Sequence, residues 1–154
     1  MSVYGLYELY HNIAIYRRHY VLKMKRGYTM EEKRILVVDD DQNMLQLLYT
    51  FLRDSYRVTT VTNGQEALDA IRKEKPDLML LDYLMPGMNG KETLEIIRKD
   101  EELKDLPVFF LTGVSDTNKI SECLKLDPIG YILKPIGKFS LLAKIRAYFE
   151  EVDG

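Results

Sequence analysis

Leu78-Met79-Leu80-Leu81-Asp82-Tyr83-Leu84-Met85-Pro86-Gly87-Met88-Asn89-Gly90 decides the fold. Its first four residues are a short, unbroken apolar run, the pattern of a strand buried on both faces of a parallel sheet. The run stops at one carboxylate, and Pro86, Gly87 and Gly90 then impose a turn. In open parallel sheets the crevice for ligands lies at the carboxyl ends of the strands, so Asp82 faces that crevice. A lone Asp after a strand is more often a turn former or a helix cap. Asp82 has company.

Ile35-Leu36-Val37-Val38 is a second buried-type strand, and Asp39-Asp40-Asp41 follow it. Asp41 is accounted for as the cap of a helix beginning at Gln42. That leaves Asp39 and Asp40, whose like charges repel unless a cation or solvent screens them. Hard oxygen ligands in this number suit Mg²⁺, which takes one or two carboxylates and keeps several waters. Two more strand ends complete the set: Val108-Phe109-Phe110-Leu111 runs into Thr112-Gly113, and Tyr131-Ile132-Leu133 runs into Lys134-Pro135. Singly, a hydroxyl or a lysine after a strand is surface decoration. Together these ends bring acids, a hydroxyl and a cation to one edge of one sheet. That is equipment for a phosphoryl group: a carboxylate nucleophile, a metal for the charge, and donors for the phosphoryl oxygens.

Strands are predicted near 34–38, 57–61, 77–81, 107–111 and 130–133, with helices near 42–54, 64–74, 90–99, 116–125 and 138–150. Asn63-Gly64 opens the second helix and Pro76 lies beyond its end. Such alternation gives an α/β fold, a parallel sheet with helices on both faces.

The motifs Asp39-Asp40, Asp82 with Met85-Pro86-Gly87-Met88-Asn89-Gly90, Thr112-Gly113 and Tyr131-Ile132-Leu133-Lys134-Pro135 occur in the order and spacing of a known family. Over about residues 33–150 the chain resembles a response-regulator receiver domain of the chemotaxis-regulator type. The resemblance implies a flavodoxin-like, doubly wound sheet of strand order 2-1-3-4-5, with the crevice between the first and third strands. It implies that Asp82 is the phospho-acceptor. Asp40, Asp82 and the backbone carbonyl of Leu84 would be ligands of Mg²⁺, with Asp39 acting through a coordinated water. Thr112 would bond a phosphoryl oxygen, with Gly113 leaving room beside it. Lys134 would pair with the phosphoryl group, or with Asp82 before phosphorylation. Tyr131 would be the aromatic switch that turns inward when Thr112 moves, and the Lys134–Pro135 peptide bond would be cis.

Composition is compatible with this. A 46% hydrophobic fraction and a formal net charge of −2 indicate no bulk attraction to nucleic acid. One unpaired cysteine, Cys123, excludes a disulfide framework and fits a reducing, cytoplasmic compartment. No apolar run is long enough to span a membrane, and no secretory-signal pattern begins the chain.

The domain boundaries read as an N-terminal extension over 1–32 and a receiver over 33–152. Residues 1–29 hold six of the eleven tyrosines, both histidines and five basic residues against one acid. Leu6, Leu9, Ile13, Tyr16 and Tyr20 keep a helical 3-4-3-4 spacing. The segment is either a packing helix, a basic helix on an anionic membrane surface, or upstream sequence from a start assigned too early, since Met30 would open a receiver cleanly. The last reading is preferred, and His11 and His19 are read as surface residues.

The expected function is a phospho-acceptor switch that takes a phosphoryl group from a sensor histidine kinase or a histidine phosphotransfer protein. It is expected to act on no external substrate. With the chain ending at Gly154, output is expected through an unknown downstream protein, on the surface of the helices at 116–125 and 138–150 and the strand at 130–133. A receiver excised from a hybrid kinase is the alternative context. An aspartate-nucleophile phosphohydrolase is a second class, but haloacid-dehalogenase-like enzymes need an acid two residues after the nucleophile, and Leu84 stands there. A receiver-shaped module that never takes phosphate should lack Asp40, Asp82 or Lys134, and all three are present. Leu84 and Val114 occupy positions that flank the hydrolytic water in the family, and both are apolar. Pro128 should end the fourth helix early, a departure that bears on any output surface there.

Overall fold

Alternate residues of each central strand feed two different cores. In the computed structural model, which describes residues 32–113 and 121–154, the strands are β1 (Arg34–Val38), β2 (Arg57–Val61), β3 (Leu78–Asp82), β4 (Val108–Thr112) and β5 (Gly130–Leu133). They pair in the order β2-β1-β3-β4-β5, all parallel. Leu36, Val38, Met79, Leu81 and Phe110 point to one side and pack on Ala67, Leu68 and Ile71 of α2 (Gly64–Lys73) and Leu94 and Ile97 of α3 (Gly90–Lys99). Ile35, Val37, Leu78, Leu80, Phe109 and Leu111 point to the other. There they meet Leu45, Leu48 and Leu52 of α1 (Gln42–Leu52) and Leu141, Ile145 and Phe149 of α4 (Lys138–Asp153). Burial on both faces is why β3 and β4 read as continuous apolar runs. Each such side chain contributes about 1.5–3 kcal/mol. β2, an edge strand, exposes Arg57, Thr59 and Thr60.

Polar caps set where the helices begin. Asp41 accepts the backbone N–H groups of Asn43 and Met44 at the head of α1, and Asn63 accepts that of Glu66 in α2. Asn89 and Glu92 form a reciprocal capping box at α3. The far end of α3 is tied down by Arg98, whose guanidinium donates to the carbonyls of Lys104, Leu106, Leu126 and Asp127 at 2.7–3.2 Å.

Element ends differ from the sequence expectation. β3 and β4 each lie one residue later, at Leu78–Asp82 and Val108–Thr112, because Asp82 still pairs with Leu111 and Thr112 with Leu133, and α1 ends at Leu52 rather than at 54. α4 continues to Asp153. Of the helix expected at 116–125, residues 121–123 are helical and Leu124–Leu126 tighten into a 3-10 turn. Asp127 then turns left-handed (φ 50°) before Pro128, whose ring disfavours helix in the residue before it. The readings of residues 1–29, of 116–120 and of Val114 lie outside the described residues. Among those described, no helix is long and apolar enough to cross a membrane.

Candidate functional site

The carboxyl edge of the sheet gathers the acids by backbone pairing. The Asp39 N–H donates to Val61 (3.2 Å), extending the β1–β2 ladder one residue past Val38 and leaving the Asp39 carboxylate completely buried. One Asp39 oxygen accepts the Asp41 N–H (2.9 Å), and the other accepts the Lys134 ammonium (2.8 Å). Asp40, next along, is exposed. Asp82 is on the last rung of β3 and only 4% exposed, with Lys134 Nζ 3.2 Å from its Oδ1. The Lys134 N–H donates to the Thr112 carbonyl (2.8 Å), which seats the lysine beside β4, and its bond to Pro135 is cis. Thr112 is buried and its hydroxyl donates to the Gly113 carbonyl (3.3 Å).

Gly90 holds the loop after Asp82 against the strand. Its N–H donates to the Tyr83 carbonyl (3.0 Å), and a Cβ there would collide with the Asp82 carbonyl oxygen. Only glycine allows that approach. Leu84, in this loop, is about half exposed (52%).

Burial, then the charge of Asp39, push the Asp82 carboxyl up to about 6, against the pull of Lys134. For Lys134, burial acts downward, but the hydrogen bond to Asp39 and the charges of both acids prevail and raise it. Asp39, Asp40 and Asp82 each present an oxygen within 4.8 Å of the others. Three carboxylates against one ammonium leave an excess of negative charge, two of the acids being buried. This donor set fits a hard divalent cation such as Mg²⁺. A shallow cavity of about 150 Å³, lined by Arg34, Arg57, Lys73 and Glu74 among others, lies at the opposite ends of β1 and β2. Glu74 already bridges both arginines there, so it offers no comparable chemistry.

The Tyr131 ring is half-buried, stacked on Phe110 with centroids 6.0 Å apart. The structure thus brings Asp39, Asp40, Asp82 and Lys134 together, sets Thr112 alongside them, and places Tyr131 on the same face of the sheet as Phe110. Sequence reasoning missed two features. Lys134 holds Asp39 as well as Asp82, which spacing does not reveal. Tyr83, directly after the strand-end acid, is buried against Phe110; an aromatic in that place was the available signal.

The model of the response regulator receiver domain matches residues 35–146. The chain belongs to the response regulator receiver domain family. The DNA-binding response regulator MtrA of Mycobacterium tuberculosis is 36% identical over 122 residues, which are 79% of this chain and 52% of that protein. The chemotaxis protein CheY of Pseudomonas aeruginosa is 35% identical over 79% of this chain and 99% of its own length. The solved structure of Vibrio cholerae chemotaxis protein CheY4 superposes with a TM-score of 0.71 at 29% identity, over 75% of this chain and 98% of that one. The chain spans about half the length of the curated mycobacterial relatives it matches. Receiver domains are phosphorylatable signalling modules of two-component systems. They bind Mg²⁺ and interact with histidine kinases or phosphotransfer proteins.

Proposed function

We propose that this receiver is phosphorylated on Asp82. The observation that carries the reading is a buried carboxylate at the strand edge, flanked by two further acids and contacted by Lys134. One oxygen of the Asp82 carboxylate attacks the phosphorus of a phosphohistidine or a small phosphodonor, and the donor departs with the electrons of the broken bond. Lys134 and the Thr112 hydroxyl stabilise charge on the phosphoryl oxygens. Asp40, Asp82 and the Leu84 carbonyl would hold Mg²⁺, with Asp39 acting through a water. When bound, the ion neutralises charge on the carboxylates and the incoming group.

The donor is a sensor histidine kinase or a histidine phosphotransfer protein in the cytoplasm. The output is a contact with another protein rather than direct binding of nucleic acid, whether this receiver acts alone or within a hybrid kinase. The receiver proper begins at residue 33, with residues 1–32 an extension, and external substrates are not turned over. The half-exposed Leu84 supports that last point, because it supplies no proton donor or acceptor two residues after the nucleophile.

Incubation with Mg²⁺ and acetyl phosphate should add one acid-stable, base-labile phosphoryl group by mass spectrometry. Asp82→Asn should abolish it, and Asp40→Asn should weaken Mg²⁺ binding severely. Labelling that persists in Asp82→Asn would refute the assignment.

A further inference from the structure

Gly64 opens α2 without needing a glycine's backbone freedom, since the left-handed glycines among the described residues are Gly87 and Gly130. Glycine also weakens a helix relative to alanine. What the position gains is space. A Cβ at Gly64 would collide with the Thr93 hydroxyl oxygen of α3 and come within 2.7 Å of the Met88 sulfur. Ordinary contact between such atoms begins at about 3.5 Å. The head of α2 therefore meets Met88 and α3 across a bare Cα.

Both helix starts are pinned. On the α2 side, one Glu66 oxygen accepts the N–H and the hydroxyl of Thr62 (2.9 and 3.0 Å), and the Asn63 side chain accepts the Glu66 N–H (2.9 Å). The preceding carbonyl, that of Val61, accepts the Asp39 N–H (3.2 Å), so the first turn of α2 is tied back to the acid cluster. On the α3 side, Thr93 is completely buried and its hydroxyl donates to the Asn89 carbonyl (2.8 Å), inside the capping box of Asn89 and Glu92. Rotating Thr93 away would strand a buried hydroxyl. Between the two starts runs the loop 83–89, outside any helix or strand. It is closed at its ends by the Gly90 N–H on the Tyr83 carbonyl, anchored by the buried Met85, and seated on α2 by Met88. A side chain at position 64 would push this loop off α2.

Leu84 belongs to the same loop. Mg²⁺ demands near-octahedral ligands at about 2.0–2.1 Å and tolerates little displacement of any one of them. Asp40 and Asp82 follow β1 and β3, whereas the Leu84 carbonyl moves with the loop. We propose that Gly64 is a positioning residue for the metal site: its missing side chain lets Met88 and Thr93 close on α2, and so fixes the loop that carries the Leu84 carbonyl. This rests on the reading of Asp40, Asp82 and the Leu84 carbonyl as the ligands of Mg²⁺.

The test is a Mg²⁺ titration of the unphosphorylated full-length chain followed by ¹H–¹⁵N NMR, with urea midpoints measured in parallel without metal. Gly64→Ala should weaken Mg²⁺ binding about fivefold or more, the lower end of typical coupling between sites. Thr93→Ala takes away the nearest obstacle. In that background, adding Gly64→Ala should cost less than half as much affinity on a logarithmic scale. A purely structural glycine would lower the midpoint and leave the Mg²⁺ affinity unchanged, and that result overturns the proposal. So does an equal loss of affinity in both backgrounds, because the collision is then not its cause. A wild type that binds no Mg²⁺, or Asp40→Asn binding it as tightly as the wild type, instead refutes the ligand assignment, and the proposal falls with it. Should Gly64→Ala not fold, Met88→Ala removes the same contact from the loop side without any collision. A loss of Mg²⁺ affinity of about fivefold or more then supports the proposal, and an unchanged affinity sinks it.

Discussion

Lys134 lies closer to Asp39 (2.8 Å) than to Asp82 (3.2 Å). The ammonium therefore secures the wholly buried acid first and shares its remaining reach with the phospho-acceptor. Both Asp39 oxygens are engaged, since the Asp41 N–H holds the other, and each keeps a lone pair that a bridging water can use. Asp82 and the exposed Asp40 are left to face an incoming cation or phosphoryl group.

Removing that ammonium should expose the cost of burying Asp39. Breaking a buried pair on one side is destabilising by about 3–5 kcal/mol, because the surviving charge has neither solvent nor partner. Lys134 is itself about a quarter exposed, so Lys134→Met should lose roughly the lower figure in metal-free urea denaturation at pH 7. Added Mg²⁺ should restore more stability to this variant than to the wild type, by replacing the missing positive charge. A metal-free midpoint equal to that of the wild type would contradict the pairing.

The raised titration of Asp82 carries a signed pH dependence. Unfolded, the carboxyl titrates at its ordinary value; folded, it titrates at about 6. Between those values the folded chain binds the extra proton. Stability is therefore present below the unfolded value and lost as pH rises through about 6. The size is about 2–3 kcal/mol at most. The check is the difference between wild type and Asp82→Asn without metal: close to zero near pH 4, and in favour of Asp82→Asn at pH 7. A difference independent of pH would mean that burial does not hold the carboxyl up.

The switch should couple a hydroxyl on β4 to a ring on β5. Thr112 donates to the Gly113 carbonyl, a neutral bond at 3.3 Å. A phosphoryl oxygen is a stronger, charged acceptor and should draw the hydroxyl away. The Tyr131 ring then moves into the vacated space, shifting an equilibrium that already exists. Thr112→Ala should still accept phosphate but leave Tyr131 uncoupled. Equal phosphorylation-induced shifts of the Tyr131 NMR signal in wild type and Thr112→Ala would rule this out.

Much of this architecture was legible because parallel strands buried on both faces cannot hide their composition. Leu78–Leu81 and Val108–Leu111 are continuous apolar runs, and Asn63, Asn89 and Asp41 mark helix starts by their own hydrogen bonds. The polar strand ends identified the site edge for the same reason. Partner choice was not legible. That Lys134 takes Asp39 first depends on the Asp41 N–H orienting that carboxylate, a contact set by the bend after β1. Nor was the 3-10 turn at Leu124–Leu126, where Arg98, distant in sequence, collects the terminal carbonyls.

The lifetime of the phosphoryl group should depend on Leu84. The position two after the phospho-acceptor flanks the approach of the hydrolytic water in this family, and the structure gives it an apolar side chain that is half exposed. That exposure separates two accounts. A leucine extending the core upward would be covered, whereas one overhanging the edge of the site sheds water while lending it no hydrogen bond. Val114, read as its counterpart, lies outside the described residues, so the test is confined to Leu84. An orienting hydrogen bond is worth about 1–3 kcal/mol when charge develops on its partner, hence roughly ten- to a hundredfold in rate. Leu84→Asn supplies a donor and an acceptor of similar length, and the exposed position lets it do so with little effect on folding. Dephosphorylation followed after removal of the phosphodonor should be faster in Leu84→Asn, by up to about tenfold for the single substitution. An unchanged or slower rate would show that Leu84 does not shield the phosphorus, and that the lifetime is set elsewhere at the site.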